Sequence, residues 1–539
     1  MKPRLKIIMA QLNLFVGDIT GNTSKIIDAI HDAKSQFGAD LVVFPELTIT
    51  GYPPEDLLHR RTFVKLVQKS LYRICQEVSG IDVVLGYPEQ GEDGLYNVAA
   101  WVRDGEIVGS YRKHYLPNYS VFDEKRYFLA GTDPLVVNIK GIPVGVTICE
   151  DVWFPEPTQK AVRQGAELIV NLNASPFDLH KLHERSSTLM QRVEETGKPI
   201  VYVNLVGGQD ELVFDGASFV MDAHGLVCNR APAFEEGLYS AEFELEAVPV
   251  PVTDPTYKPL GEVEAVYKAL VLGVRDYIEK NRFPGVIMGL SGGIDSALTL
   301  AIAVDAIGAD RVEAVMMPSR YTSNQSKIDA REEAQALGVE FHELPIEDMF
   351  NVTLQTLAGE LAGTQADVTE ENIQARCRCI LLMAISNKKN KMVLTTGNKS
   401  EMAVGYATLY GDMAGGFNAL KDVPKTLVYK LAEYRNVLGR VIPQSVIHKA
   451  PSAELAPDQK DSDSLPDYGE LDGILELYIE RDKCRDEIVE LGYAEATVQR
   501  VIDMVNRNEY KRRQAAPGVR ITRKAFGRDR RYPITSGYR

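Results

Sequence analysis

The sequence has no apolar run near the ~18 residues that a membrane span needs, and neither an internal repeat nor a low-complexity tract. The opening stretch, "MKPRLKIIMAQLNLF", has no small-residue cleavage site, and Gln11 and Asn13 interrupt its apolar character. It predicts a first strand rather than a signal peptide, and so a cytoplasmic protein with no membrane partner. The six cysteines, Cys75, Cys149, Cys228, Cys377, Cys379 and Cys484, are scattered and offer no disulfide framework. Cys377-x-Cys379 is too tight for a usual zinc pair and has no matching second pair. In the helical context "IQARCRCILLMAI" residues two apart point to different sides, so core or surface thiols are expected. Positive charge is also short: the net charge is −15, which argues against a nucleic-acid partner. The exception is Arg507–Arg531, with ten basic residues against Glu509 and Asp529. Such a run is either a solvated tail or a contact for a small polyanion. Tyr510, Phe526, Tyr532 and Tyr538 argue against a wholly disordered tail.

At 539 residues the chain is too long for one ordinary core, so two or more domains are expected. Up to about Glu246, short apolar strands such as "LKIIMAQL", "DLVVFPEL", "IPVGVTIC" and "ELIVNLNAS" alternate with helical stretches. Some strands alternate apolar with polar and others are apolar throughout, as in a sheet covered by helices or two such layers stacked. Four prolines in "EAVPVPVTDPTYKPLG" mark an extended linker, set at 248–262 between domains at 1–247 and 263–539. Beyond it, strand–helix units ("GVIMGL" then "DSALTLAIAVDAIG"; "RVEAVMMP" then "NQSKIDAREEAQALG") predict an α/β domain with a doubly wound parallel sheet. Ligands of such sheets bind at the carboxyl ends of the strands.

"GLSGGIDSA", Gly289–Ala297, lies at one of those ends. Its glycines let a ligand approach the backbone, and Ser291, Ser296 and the first helical N–H groups suit phosphate oxygens. The lysine of the common phosphate loop is missing, and Asp295 would repel phosphate unless a divalent cation stood between them. A tight strand–helix turn with no ligand has the same local pattern. The loop closely resembles the S-G-G-x-D-S signature of N-type ATP pyrophosphatases. That resemblance implies adenylation of an acid with release of pyrophosphate. It assigns ATP to Gly289, Leu290, Ser291, Gly292, Gly293, Ile294, Asp295 and Ser296.

"MPSRYTSNQS" (Met317–Ser326), the stretch Thr395–Thr426 that begins "TTGNKSE" and ends "DVPKT", and "KAPSAELAPDQKDSDSLPDY" (Lys449–Tyr468) resemble NAD synthetases. The resemblance places Thr396, Lys425 and Ser452 near ATP. It places Asn372, Glu401 and Lys511 near deamido-NAD, and Mg2+ on Asp295 and Glu401. Lys511 gives the basic run a purpose, since that substrate is a dinucleotide carrying a carboxylate. Taken alone, Thr396 is equally a helix cap and Glu401 a solvated helix acid.

In the first half, "PEL" (Pro45–Leu47), "YRKHYLPNY" (Tyr111–Tyr119) and "VTICEDVW" (Val146–Trp153) each lie at or near an apolar strand. They contribute Glu46, Lys113 and Cys149. A thiolate attacks an amide, a carboxylate shuttles the thiol proton to the leaving ammonia, and an ammonium steadies both thiolate and oxyanion. Cys149 alone would be an inert buried thiol. The order Glu, Lys, Cys, with "GDITGN" and "NLNASPFDLHKLHER", resembles the nitrilase/amidase superfamily and implies an α-β-β-α sandwich. No G-x-S-x-G partners His114, His180 or His183. Nitrilase domains fused to NAD synthetases further imply glutamine contacts at Tyr119, Ser175 and Lys181. Turn formation before Pro176 is the other reading of Ser175, and a solvated lysine that of Lys181.

Together the two halves imply a glutamine-dependent NAD synthetase: deamido-NAD, ATP, glutamine and water give NAD, AMP, pyrophosphate and glutamate. Adenylation is needed because a carboxylate is a poor electrophile. Ammonia is mostly ammonium at neutral pH, so a sheltered passage is expected, and relatives imply a homo-oligomer. Another ATP-pyrophosphatase amidotransferase, or an RNA-thiolating enzyme using Cys377 and Cys379, are the alternatives that the motifs leave open.

Overall fold

A computed structural model describes residues 3–252 and 257–537; Tyr538 and part of the expected linker, 253–256, lie outside the described residues. The chain divides into two compact units, Met1–Leu260 and Gly261–Arg539. No helix among the described residues is long and apolar enough to cross a membrane.

The first unit is built on two large sheets. One has seven strands in the order Val250–Pro251, Gly237–Glu244, Arg4–Gln11, Leu41–Val43, Asp82–Gln90, Leu95–Arg103, Glu106–Arg112. The other has six: Val227–Arg230, Phe219–Met221, Ile200–Asn204, Leu168–Asn173, Ile142–Ile148, Leu135–Ile139. The edge strand Val250–Pro251 falls within the span expected as linker.

Side-chain parity explains why these strands are apolar on both faces. Leu5, Ile7, Met9, Leu41, Val43, Val84 and Trp101 share one core with Val144, Val146, Ile148, Val170, Val201 and Val220 of the other sheet. Their neighbours Ile8, Ala10, Val42, Val83, Leu85 and Val102 pack instead against Ile26, Ile30, Val67 and Ile74 of helices Ile19–Ser35 and Arg61–Glu77. On the far side Ile169, Ile200, Tyr202, Phe219 and Met221 meet Ala161, Leu189 and Val193 of helices Pro155–Arg163 and Lys181–Thr196. The layers therefore run helix, sheet, sheet, helix, as the α-β-β-α resemblance implied. A one-residue slip in any of these strands would exchange its two buried faces.

The second unit carries a five-stranded parallel sheet ordered Glu340–Glu343, Val312–Met316, Val286–Gly289, Met392–Thr395, Phe417–Asn418. The first strand in sequence is central, and the chain winds outward first to one side and then to the other. The reversal falls between Val286–Gly289 and Met392–Thr395, and a crevice opens where strand order reverses.

The basic run is not a solvated tail. Gly518 bridges to Asn418, and Val519, Ile521 and Phe526 are buried. Arg512, Arg520 and Arg530 are only 6%, 6% and 5% exposed. Glu509 binds Arg512 at 2.8 Å, Arg513 at 3.0 Å and Arg530 at 3.0 Å, and Arg520 binds Asp529 at 2.6 Å. The run is cationic by composition but much of its charge is spent internally. Removing one partner of such a buried set strands the others, which costs about 3–5 kcal/mol. Glu509→Ala should therefore lower the unfolding free energy of the second unit by that order, read by urea unfolding of the full chain.

Candidate functional site

In the first unit, Cys149 follows directly on the strand Ile142–Ile148 and opens the one-turn helix Cys149–Trp153. Its φ of 44° puts a non-glycine residue in the left-handed region, a strained setting typical of a residue held for use. Lys113 follows the strand Glu106–Arg112, and Glu46 lies just past Leu41–Val43. All three are buried, Glu46 and Lys113 almost completely. Lys113 Nζ donates to Glu46 Oε1 at 2.6 Å and to both oxygens of Glu124 at 2.9 Å. Glu46 also accepts from Asn97 Nδ2 at 2.7 Å and from the Ala174 amide at 3.2 Å.

Burial works against the Lys113 charge, but Glu124 and Glu46 raise its pKa well above the usual lysine value. Burial likewise pushes the Cys149 thiol well up; Glu46 adds to that and Lys113 opposes it. Glu124 is raised to about 7 by burial, against the pull of Lys113. Glu124 was not legible in the sequence; only the acid in "VFDEKRYF" hinted at it.

The three residues expected to contact an amide substrate gather around this set. Tyr119 donates its hydroxyl to Glu150 at 2.9 Å, next to Cys149 in the chain. The Lys181 ammonium sits 4.3 Å from the centre of the Trp153 ring and 3.4 Å from Glu184. Ser175 is buried two residues beyond the strand Leu168–Asn173, and its amide donates to Asn204 Oδ1 at 2.9 Å. Tyr119 is half-exposed, so a ligand can reach it.

In the second unit the crevice is a cavity of about 300 Å³. Its wall includes Gly289, Leu290, Ser291, Gly293, Ile294, Asp295 and Ser296, together with Thr396, Glu401, Lys425 and Ser452. Gly292 of the same loop has φ +78°, and a Cβ there would come within 2.3 Å of the Ser326 carbonyl oxygen. The turn thus requires glycine on both counts. Ser296 Oγ accepts from the Ser291 amide at 3.2 Å and donates to the Gly293 carbonyl at 2.9 Å, which folds the loop onto helix Ile294–Ile307.

Lys425 Nζ pairs with Asp295 Oδ2 and lies 3.1 Å from Glu401 Oε1. Asn398 donates to Asp295 at 2.9 Å and caps helix Lys399–Val404 through the Glu401 amide at 3.0 Å. One asparagine therefore binds the Asp295 carboxylate and the backbone of Glu401. Burial raises Glu401 to about 7, with Lys425 lowering and Asp295 raising it. Asp461, bound to the Tyr468 hydroxyl at 2.8 Å, is a further acid of the cavity wall. Asn398 and Asp461 sit inside the quoted motifs but were not singled out there.

Asn372 and Lys511 meet on the segment Gly405–Asp412 and do not line the cavity directly. Asn372 Oδ1 accepts from Thr408 Oγ1 at 2.8 Å, and Lys511 Nζ donates to the Gly405 and Ala407 carbonyls at 2.8 and 2.9 Å. Tyr406, Ala407 and Asp412 of that segment do line it. Cys377 is buried and Cys379 lines the cavity.

Two family models match the chain: carbon-nitrogen hydrolase over residues 6–249 and NAD synthase over residues 266–515. A glutamine-dependent NAD(+) synthetase of Acinetobacter baylyi is 50% identical over 537 residues, covering 99% of both chains. One of Thermotoga maritima is 46% identical over 573 residues, again covering 99% of each. Among solved structures, glutamine-dependent NAD+ synthetase from Acinetobacter baumannii in complex with ADP is 47% identical, with a TM-score of 0.81 and coverage of 100% of this chain and 99% of that one.

A thiol whose pKa is raised is protonated at neutral pH, so alkylation of Cys149 should still be accelerating with pH above 8. Lys113→Met removes the cation that favours the thiolate. It should slow alkylation by iodoacetamide at pH 8 roughly tenfold, one pKa unit's worth of thiolate, followed by peptide mass spectrometry.

Proposed function

The chain belongs to the glutamine-dependent NAD(+) synthetases, and from that membership we propose how its own residues divide the reaction. The span 1–247 is the glutaminase and 263–539 the synthetase, with 248–262 as the connection. The observation that carries the first assignment is the burial of Lys113 between Glu46 and Glu124, within electrostatic reach of Cys149.

Glutamine binds among Tyr119, Ser175 and Lys181. Glu46 takes the Cys149 proton as the sulfur attacks the side-chain amide carbon. Proton transfer inside the site makes the thiolate only at the moment of attack, which suits a thiol held neutral at rest. Glu46 then passes the proton to the nitrogen as the C–N bond breaks, releasing ammonia and leaving a glutamyl thioester. Lys113 stabilises the oxyanion, and water activated by Glu46 frees glutamate.

In the synthetase the Gly289–Ser296 loop, Thr396, Lys425 and Ser452 hold ATP, and Asn372, Glu401 and Lys511 serve deamido-NAD. Asn372 and Lys511 do so through the Gly405–Asp412 segment. Hard carboxylate oxygens at Asp295 and Glu401, facing a cavity fit for phosphates, suit Mg2+, which is commonly held by one or two carboxylates plus phosphate oxygens. When bound, Mg2+ would neutralise phosphate charge beside Asp295. Lys425, already paired with both acids, is placed to follow the charge of the leaving pyrophosphate. The acid oxygen of deamido-NAD attacks the α-phosphorus, and ammonia then displaces AMP. We place the enzyme in the cytoplasm as a homo-oligomer.

Cys149→Ala should abolish glutamine-driven NAD formation while leaving ammonium-driven formation near wild type; equal loss of both would overturn the division of labour. Asp295→Ala should reduce AMP and pyrophosphate release at least about a hundredfold, as loss of a preorganised charge contact does. Its glutaminase activity should persist, measured as glutamate released.

A further inference from the structure

Arg185 lies on helix Lys181–Thr196, is 1% exposed, and was assigned no role by the motifs. We infer that Arg185 is the positioning residue of the glutamine pocket, fixing the Ser175 segment without touching substrate. This rests on the proposed reading of Ser175 as a glutamine contact.

The geometry accounts for the whole guanidinium. Nε donates to Ser175 Oγ at 3.1 Å. Nη2 donates to the Ser175 carbonyl at 2.7 Å and the Pro176 carbonyl at 3.2 Å. Nη1 donates to Asp215 Oδ1 and Oδ2 at 2.8 and 3.0 Å. Five contacts use the donor capacity of arginine, so none remains for a ligand. Asp215, 3% exposed at the end of strand Leu212–Asp215, supplies the counter-charge that makes burial tolerable. Ser175 Oγ accepts from Nε, which fixes the rotamer of the hydroxyl.

The segment is held from its other side by Asn204. That residue accepts from the Ser175 amide at 2.9 Å and donates to the Ser175 and Gly216 carbonyls at 3.2 and 3.1 Å. One residue earlier, the Ala174 amide donates to Glu46. Residues 174–176 thus carry a contact to the base at one end and the Ser175 hydroxyl at the other. Asn204 and Glu46 anchor the backbone, whereas Arg185 grips the hydroxyl at 3.1 Å, with the Tyr202 hydroxyl beside it. Losing Arg185 should therefore disturb glutamine binding more than thiol chemistry. Lysine keeps a charge for Asp215 but has no planar fork to hold Ser175 and Pro176 together.

The test uses the full chain and the variants Arg185→Met, Arg185→Lys and Ser175→Ala. Glutaminase KM and kcat are measured beside the rate of Cys149 alkylation by iodoacetamide, which lacks the amino-acid end of glutamine. In Arg185→Met the KM for glutamine should rise about tenfold, equivalent to about 1.4 kcal/mol. The kcat should fall less than about threefold, the split that marks lost binding rather than lost chemistry. Arg185→Lys should restore neither KM nor fork but keep the alkylation rate of the parent. If both Arg185 variants leave KM unchanged while Ser175→Ala raises it, the inference is overturned. If KM, kcat and alkylation deteriorate together in both, Arg185 is merely structural and the inference is again overturned. An unchanged KM in Ser175→Ala would remove the reading of Ser175 and the inference with it.

Discussion

A lysine ammonium taken out of water between two carboxylates organises each of the two sites. Lys113 stands between Glu46 and Glu124, and Lys425 between Asp295 and Glu401. Neither charge tolerates burial alone: the desolvation cost of an ion is several kcal/mol, and only opposite charge with good hydrogen bonding offsets it. The two acids on each lysine repel one another unless one is partly protonated, and in each pair one carboxyl is raised to about 7. The result in both sites is a compact set of charges with a proton held at near-neutral affinity. Such a set is ready for proton transfer in one case and for a phosphate-bearing ligand in the other.

Strand ends deliver these residues. Cys149, Glu46 and Ser175 come just after strands buried on both faces, and Lys113 just after the edge strand Glu106–Arg112. The sheet-on-sheet core and its two helical coats fix the direction of every strand. The last buried residue therefore decides where the first polar one emerges. The Gly289–Ser296 loop and Thr396 follow the same rule at the reversal of the parallel sheet. In both units the core sets the site geometry, because the site's side chains hang from rigid ends and not from long loops.

What the sequence revealed follows from the range of the interactions involved. Glycines, the loop serines and the Glu, Lys and Cys contexts are local patterns, and so was the alternation that predicts the strands. Glu124 and Arg185 depend on partners fixed only by the fold: Glu124 closes on Lys113 and the Tyr52 hydroxyl, and Arg185 on Asp215, 30 residues further along the chain. The basic run shows the same limit from the other side. Its composition suggested solvent or a polyanion, yet Glu509 and Asp529, few as they are, lie where three of its arginines are buried. Counting charges gives a net sign; only contacts give the free remainder. Of the basic residues there, Lys511 does keep a link to the synthetase cavity, through backbone carbonyls that no motif could disclose.

The neutrality of the Cys149 thiol completes the account of the first site. A permanent thiolate there would add a second or third negative charge to a sealed volume holding one ammonium, at a cost that burial makes steep. Moving the proton from sulfur to Glu46 leaves the net charge of the set unchanged, and so avoids that cost. Lys113 opposes the rise in the thiol pKa and so favours the thiolate, while its contact with Glu46 weakens as that carboxylate takes the proton and its contact with Glu124 remains. On the proposed mechanism the nucleophile is generated inside the site, which needs both acids in place: Glu46 to receive the proton, and Glu124 to keep the ammonium charged when Glu46 becomes neutral. Glu124 thereby holds the site's electrostatic balance at the step where Glu46 gives up its own charge.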